Sequence, residues 1–233
     1  KVISKWGTGI DSIDVDSAEE LGVQVKNSVG AFASAVGEIA VAYALNLTRG
    51  INQTHTAVLK GDWPKKQYKD MSQLCVGLLG LGAIGSGVAD RLQPFGCRII
   101  YHDPFIKNAE YESYSLEKFA STADVFILTA NLNDATRNII GYDFLQLVKD
   151  GSFLINVSRG QLIDENELQK ALYDGRLAGV ALDVYQDEPL PQSSSLLNYS
   201  NVIFGSHNAN NTLRAVEYVH QNTFDNLMNG LEE

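Results

Sequence analysis

Four polar residues stand at the ends of apolar, strand-like runs in the second half of the sequence. Arg159 lies two residues beyond Phe153–Val157, and Asp183 closes Gly179–Val184. Glu188 sits in the Asp187-Glu188-Pro189 turn that follows, and His207 comes three residues after Val202–Phe204. An arginine fork binds a carboxylate in a bidentate way and polarises a carbonyl. A histidine exchanges a proton with an oxygen whose charge changes, and a carboxylate beside it orients the ring and sets its tautomer. The set suits hydride transfer on a keto acid and needs no metal. Taken singly, each has a plainer explanation: Arg159 a surface ion pair, Glu188 a polar turn, Asp183 a helix cap. His207 lies in the polar segment Ser206-His207-Asn208, which sets it apart from a core histidine. The other histidines fit less well: His55 falls in a helical stretch, His102 beside Asp103, and His220 in the last helix.

A carrier for the hydride has its own signature upstream. Gly80-Leu81-Gly82-Ala83-Ile84-Gly85 follows the apolar run Cys75–Leu79 and precedes a helical stretch in which Ile84, Val88 and Leu92 recur at a spacing of four. Gly80 permits a tight turn, Gly82 lets a pyrophosphate approach the backbone, and Gly85 lets the helix pack closely on the strand. The helix start at Ala83 and Ile84 offers unpaired N–H groups and a positive dipole end to phosphates. Asp103 follows the next strand. A carboxylate there accepts hydrogen bonds from ribose hydroxyls and repels a 2′-phosphate, so NAD is expected rather than NADP. A lone GxGxxG is weak; here the strand before it, the helix after it and the acid beyond all agree. Ser158, next to Arg159, joins the expected cofactor contacts.

These residues need a scaffold that brings strand ends together. Six short apolar runs (75–79, 98–101, 125–129, 153–157, 179–184 and 202–204) alternate with amphipathic segments from residue 74 onward. That alternation predicts an α/β fold with a doubly wound parallel sheet, a Rossmann dinucleotide-binding domain whose ligands lie beyond the carboxyl ends of the strands. Asp164 and Glu167 mark the start of a helix carrying Leu168, Ala171 and Leu172, and Gly175 its stop. Residues 1–33 read as strand, turn at Gly7-Thr8-Gly9, helix at Ser17–Leu21 and strand at Val23–Val25, part of a second, substrate domain. Residues 34–49 are apolar nearly all round and read as a helix wedged between two domains, opening a connection over 34–73. The Rossmann domain spans 74–206, and 207–233 closes the chain with a helix over 212–232.

Composition narrows the partners. The chain has 233 residues, 45% hydrophobic and 20% charged, and a net charge of -10. An acidic surface disfavours nucleic acid but leaves a small anion open as a ligand. No apolar run approaches the length of a membrane helix. Cys75 and Cys97 open apolar runs and read as core residues, with no metal-binding pattern. The cytoplasm is the default compartment. The chain begins at Lys1, directly ahead of the strand-like Val2-Ile3, which reads as an internal start of a longer protein.

Several motifs occur in order: KWGTGIDSIDVDSAEELGVQVKN, GLGAIG, YHDP, INVSRGQLIDENELQKALYDGRLAGVALDVYQDEPL and GSHN. Together they cover almost the whole chain, which resembles the D-isomer-specific 2-hydroxyacid dehydrogenases, and most the phosphoglycerate dehydrogenase-like branch. The resemblance implies that Arg159 binds the substrate carboxylate and keto oxygen, that His207 is the acid/base and that Glu188 pairs with it. It further implies that Asp183 holds the nicotinamide carboxamide, Asp103 the ribose, and the backbone around Gly7, Thr8 and Gly9 the substrate carboxylate. It implies a small anionic 2-hydroxy or 2-keto acid as substrate, phosphoglycerate- or hydroxypyruvate-like, and a homodimer with the helical region near 34–60 at its interface. The chain departs from the family pattern at Asn131, where many members have proline, and at Asn208-Ala209-Asn210, where Ile-Gly-Gly is common. Members also carry a further part of the substrate domain before the position of Lys1. Two other readings stay open: an NAD-sensing regulator of the same fold, and a fragment that binds NAD without turnover.

Overall fold

The structure is a computed structural model that describes residues 1–108 and 110–232. Strand β1 (Val2–Ser4) and strand β2 (Gln24–Lys26) pair in parallel as a small sheet of their own, with helix α1 (Val15–Glu20) between them. Helix α1 begins two residues before the Ser17 start expected from the sequence. Asp14 caps it, its Oδ1 accepting from Ser17 N at 2.9 Å, so Val15 and Asp16 form the first turn.

Helix α2 (Ala33–Arg49) and helix α3 (Ile51–Leu59) meet at Gly50, whose φ is +58°. The bend needs glycine for that conformation, and the Tyr68 ring packs into the space that a Cβ would take. The six expected runs then become strands β3 (Cys75–Leu79), β4 (Arg98–His102), β6 (Val125–Leu128), β7 (Ser152–Asn156), β8 (Leu177–Leu182) and β9 (Val202–Phe204), with a seventh, β5 (Glu112–Ser113), after β4. Strand β5 carries no apolar signal; it is two exposed residues at the sheet edge. Strand β8 ends at Leu182, so Asp183 stands just past the strand instead of within it. The helices between strands are α4 (Ala83–Leu92), α5 (Leu116–Thr122), α6 (Tyr142–Leu147) and α7 (Glu165–Tyr173), and α8 (Leu213–Glu232) closes the chain.

The sheet order is β5-β4-β3-β6-β7-β8-β9, and every pairing is parallel. The direction in which successive strands are added reverses at β3, which pairs with β4 on one side and β6 on the other. Side chains alternate between two cores. Val76, Leu78, Val125, Ile127 and Ile155 face α2 and α4. Leu79, Phe126, Leu128, Leu154 and Val180 face α5, α6 and α7, where Phe119, Phe126 and Phe144 pack at ring centroid distances of 5.2–6.2 Å. Burying each such side chain contributes about 1.5–3 kcal/mol, so a two-sided core of this size fixes the strand ends against each other.

Helix α2 lies against α4, and glycines set the spacing. A Cβ on Gly37 would meet Gly87 O at 3.2 Å, and one on Gly87 would meet Ala33 O at 3.0 Å. Helix α8 runs back to the first segment. Ser4 Oγ donates to Thr223 O at 2.7 Å, Asn226 Nδ2 donates to Asn27 O at 3.1 Å, and Gly230 packs on Val2. The N-terminal segment is thereby tethered beside the carboxyl ends of β7, β8 and β9. Among the described residues, no helix is long and apolar enough to cross a membrane.

Candidate active site

Strand β3 runs straight into the glycine turn. Gly80 has φ +93°, and a Cβ there would stand 2.8 Å from Ala130 Cα. A Cβ on Gly85 would stand 2.3 Å from Gly80 O, so α4 leaves the turn in backbone contact with it. A Cβ on Gly82 would meet nothing within 4 Å. The turn is therefore closed beneath and open above, as a pyrophosphate approaching the backbone requires. Asp103 lies beside it: Oδ2 accepts from Leu81 N at 2.9 Å, and Oδ1 accepts from Phe105 N at 2.9 Å and Ile106 N at 3.0 Å. A carboxylate has about four acceptor positions, so one remains for a ribose hydroxyl. The residues present fit a dinucleotide.

The other predicted residues converge beyond β7, β8 and β9. Asn156, fully buried at the end of β7, shapes the turn after it. Its Oδ1 accepts from Ser158 N at 3.0 Å and its Nδ2 donates to Arg159 O at 2.8 Å. Ser158 Oγ donates to Ala130 O and ties this turn to the end of β6. Gly160 then passes so close to the next turn that a Cβ would stand 1.9 Å from the Tyr185 carbonyl carbon. That approach brings Arg159 toward Glu188 and His207.

Glu188 Oε2 lies 2.7 Å from His207 Nδ1, and Glu188 Oε1 accepts from Tyr185 N at 3.0 Å. A carboxylate only accepts, so Nδ1 carries the proton and Nε2 is left for exchange. His207 adopts φ +54°, unusual for a residue other than glycine, and strain of this kind costs about 1–3 kcal/mol. Asp183 holds the loop in that shape. Its backbone oxygen accepts from His207 N at 2.7 Å, and its carboxylate accepts from Asn208 N at 3.2 Å and Ala209 N at 3.0 Å. These are backbone donors, so the Asn-Ala-Asn departure leaves the anchor intact. Asp183 is buried, and Tyr43 Oη comes up beside it across Gly205. Burial and the Asp183 charge push the Tyr43 phenol up to about 12.

Two adjoining cavities share Lys5, Gly9, Arg159 and His207. One of about 260 Å³ is completed by Asp11, Gln186 and Glu188. The other, of about 250 Å³, is completed by Gly7, Thr8, Ile84, Val157, Asp183 and Ala209. The glycine turn of the first segment thus faces the reactive set, and Ile84 of the cofactor turn reaches the same cleft. A wider hollow along α8, of about 1120 Å³, is lined by Leu213, Val216, Glu217, Tyr218, His220 and Phe224 and includes no arginine. Of the remaining histidines, His102 Nδ1 lies 2.8 Å from Tyr114 O, His220 packs on Trp6, and His55 is exposed on α3.

Residues 41–209 match the family described as D-isomer specific 2-hydroxyacid dehydrogenase, NAD binding domain. The chain belongs to that family. A D-3-phosphoglycerate dehydrogenase of Methanocaldococcus jannaschii is 36% identical over 223 residues, 92% of this chain and 42% of that protein. Among solved structures, a glyoxylate reductase from Paecilomyes thermophila superposes with a TM-score of 0.93 at 33% identity, covering 100% of this chain and 73% of the other. A D-lactate dehydrogenase from Aquifex aeolicus, complexed with NAD and lactic acid, gives a TM-score of 0.93 at 25% identity, over 100% of this chain and 76% of that one. The chain therefore spans less than half of the first relative's length. NAD, the cofactor expected from the glycine turn and Asp103, is the one that names the family's domain.

One charged residue of the cleft was not singled out by the sequence. Asp11 accepts from Arg159 Nη2 at 3.0 Å and from Arg159 Nε at 3.2 and 3.3 Å. Burial pushes its carboxyl up, but the hydrogen bonds and charge of Arg159 outweigh that and hold it below the usual carboxylate range. Its one sequence signal is its place in the first family motif, two residues after the Gly7-Thr8-Gly9 turn. Gly160 and Asn156 were also passed over, because neither carries chemistry and both act through backbone placement.

Proposed function

We propose that the protein catalyses reversible hydride transfer between NAD(H) and a D-2-hydroxy acid/2-keto acid pair. The observation that carries this reading is the Glu188–His207 pair at 2.7 Å, sharing one cleft with Arg159 and the open glycine turn of the first segment. When bound, NADH supplies the hydride to C2 of the keto acid. Arg159 holds the substrate carboxylate and polarises the keto oxygen. Among the described residues, none accepts from the backbone N–H of Gly7, Thr8 or Gly9, so these donors are open to the same carboxylate. His207 gives its Nε2 proton to the oxygen as charge develops there, and takes it back in the reverse direction. Glu188 keeps the proton on Nδ1, and Asp183 anchors the loop and faces the carboxamide side of the cleft.

A glyoxylate-, hydroxypyruvate- or phosphohydroxypyruvate-like substrate is supported by the names of the relatives. NADH oxidation by the chain against these three keto acids tests the reading; a rate no higher than without protein on all three would refute it. The division into a partial substrate domain over 1–33, a connection over 34–73, a Rossmann domain over 74–206 and a closing segment is part of the same proposal. So is a cytoplasmic setting, with which the free thiols of Cys75 and Cys97 agree.

Asp103 sets the choice of cofactor. Asp103→Ala removes an acceptor facing the ribose, and a hydrogen bond to a charged group is worth about 1.5–3 kcal/mol. The NADH Kd is expected to rise at least about tenfold and the NADPH Kd to stay level or fall. Fluorescence titration with both reads this, and equal weakening of the two would count against the role.

A homodimer is proposed on the exposed apolar side chains of α3 and the segment after it: Ile51, Val58, Leu59 and Trp63, of which Leu59 and Trp63 are about three-quarters exposed. Light scattering is expected to give twice the chain mass, and Leu59→Glu with Trp63→Glu to give a monomer. A parent that runs as a monomer at micromolar concentration refutes the dimer.

A further inference from the structure

We infer that Asp11 is a positioning residue that sets the attitude of the Arg159 guanidinium toward the substrate. The inference rests on the reading of Arg159 and His207 as the groups that meet the keto acid. A guanidinium has five N–H donors. Asp11 takes the Nε donor and one on Nη2, at 3.0–3.3 Å, and Ser158 O takes one on Nη1 at 2.8 Å. One N–H on each terminal nitrogen remains, the pair of donors that bidentate contact with a substrate needs.

The arginine is confined on a further side. A Cβ on Gly9 would stand 1.8 Å from Arg159 Nη2, so the guanidinium lies directly on the backbone at residue 9. Asp11 follows in the same turn and acts as a stop at the edge of the fork. Both groups of the pair are about one-third exposed, which limits screening by solvent. The contact joins residues 148 positions apart in sequence, one in the first segment and one past β7. It is therefore a direct link between the segment that closes the cleft and the strand end that carries Arg159. Arg91 on α4 and Arg98 on β4 have acidic partners as well, but those pairs lie outside the cleft.

A carboxylate on the arginine could instead compete with the substrate carboxylate for the fork. The two roles predict opposite outcomes. As a stop, Asp11 is needed for the turnover step, because a misplacement of about 1 Å costs about 10²-fold in rate. As a competitor, its removal tightens substrate binding and leaves turnover intact. Asparagine separates hydrogen bonding from charge: it keeps an acceptor at the Nε edge and loses the negative charge.

The test compares the parent chain with D11A and D11N, using NADH and glyoxylate. For D11A, kcat is expected to fall about 10- to 100-fold, with the NADH Kd unchanged. For D11N, kcat is expected to lie clearly above that of D11A. A second readout needs no turnover: the 15N–1H signal of Arg159 Nε exchanges slowly in the parent and in D11N and is lost in D11A. A D11A chain with kcat within twofold of the parent overturns the inference alone, as does a lower KM at full kcat, D11N no better than D11A, or an Nε signal indifferent to D11A. A parent that oxidises no NADH overturns the reading of Arg159 and takes this inference with it.

Discussion

His207→Ala lowers turnover by roughly 10²–10⁴-fold while NADH still binds. The imidazole is the group in the cleft with a proton to exchange at Nε2, since Nδ1 is engaged by Glu188 at 2.7 Å. Without it the oxygen formed by hydride addition must draw a proton from water, which a positioned acid outperforms by that factor. Alanine alone leaves an ambiguity. Residue 207 sits at φ +54°, where alanine is costlier than histidine, so the loop could shift. Asparagine accepts that backbone conformation and carries no exchangeable acid. Both variants are therefore expected to lose turnover alike, with NADH affinity within about threefold of the parent, because the glycine turn and Asp103 lie on other elements. Stopped-flow measurement of the single-turnover rate separates chemistry from release. Full turnover in the asparagine variant would show that the loop, and not the imidazole, is what alanine disturbs.

Gly85→Ala abolishes NADH binding at concentrations that saturate the parent, and destabilises the fold. The added methyl would stand 2.3 Å from Gly80 O and 3.0 Å from Thr129 Oγ1. Neither can yield easily. Gly80 is held by its own bond to His102 O at 2.9 Å, and Thr129 Oγ1 donates to Gly80 O at 2.7 Å. Helix α4 must then move off the turn, and overpacking of this kind costs about 1–3 kcal/mol. In a chain of this size about 2 kcal/mol lowers Tm by about 4–8 °C. The N–H groups at the helix start move with it, so the phosphate cradle is lost before the fold is. Calorimetry and NADH titration read the two effects separately. Gly82→Ala serves as the control: its Cβ meets nothing within 4 Å in the chain, so Tm is expected to hold while NADH binding weakens.

The parts legible from sequence share a physical origin. Strands β3, β4, β6, β7 and β8 were legible because strands largely buried on both faces must be mostly apolar, and the edge strand β9 because its three residues are all apolar; each is bounded by polar turns. Strand β5 was not, since two exposed edge residues have no reason to be apolar. Arg159, Glu188 and His207 were legible because ligands in an open parallel sheet gather at strand ends, and a polar type in that position stands out. Asp11 was marked only by its place in the first family motif, and its role was not legible there, since it depends on a partner 148 residues away. Gly160 and Gly205 were missed for another reason: each allows two backbones, or a backbone and a side chain, to touch, and no local pattern records such an approach. Helix α2 was legible in extent, Ala33–Arg49 against an expected 34–49, from its unbroken apolar character.

The most direct test follows the hydrogen itself. NADH carrying deuterium at C4 on one face or the other is supplied to the chain with glyoxylate, and the glycolate formed is weighed by mass spectrometry. The arrangement of Arg159, His207 and the cofactor turn around one cleft predicts that one of the two labelled forms places its deuterium at C2 of the product and the other places none. Glycolate that is unlabelled from both forms, or NADH consumed with no glycolate formed, would contradict it.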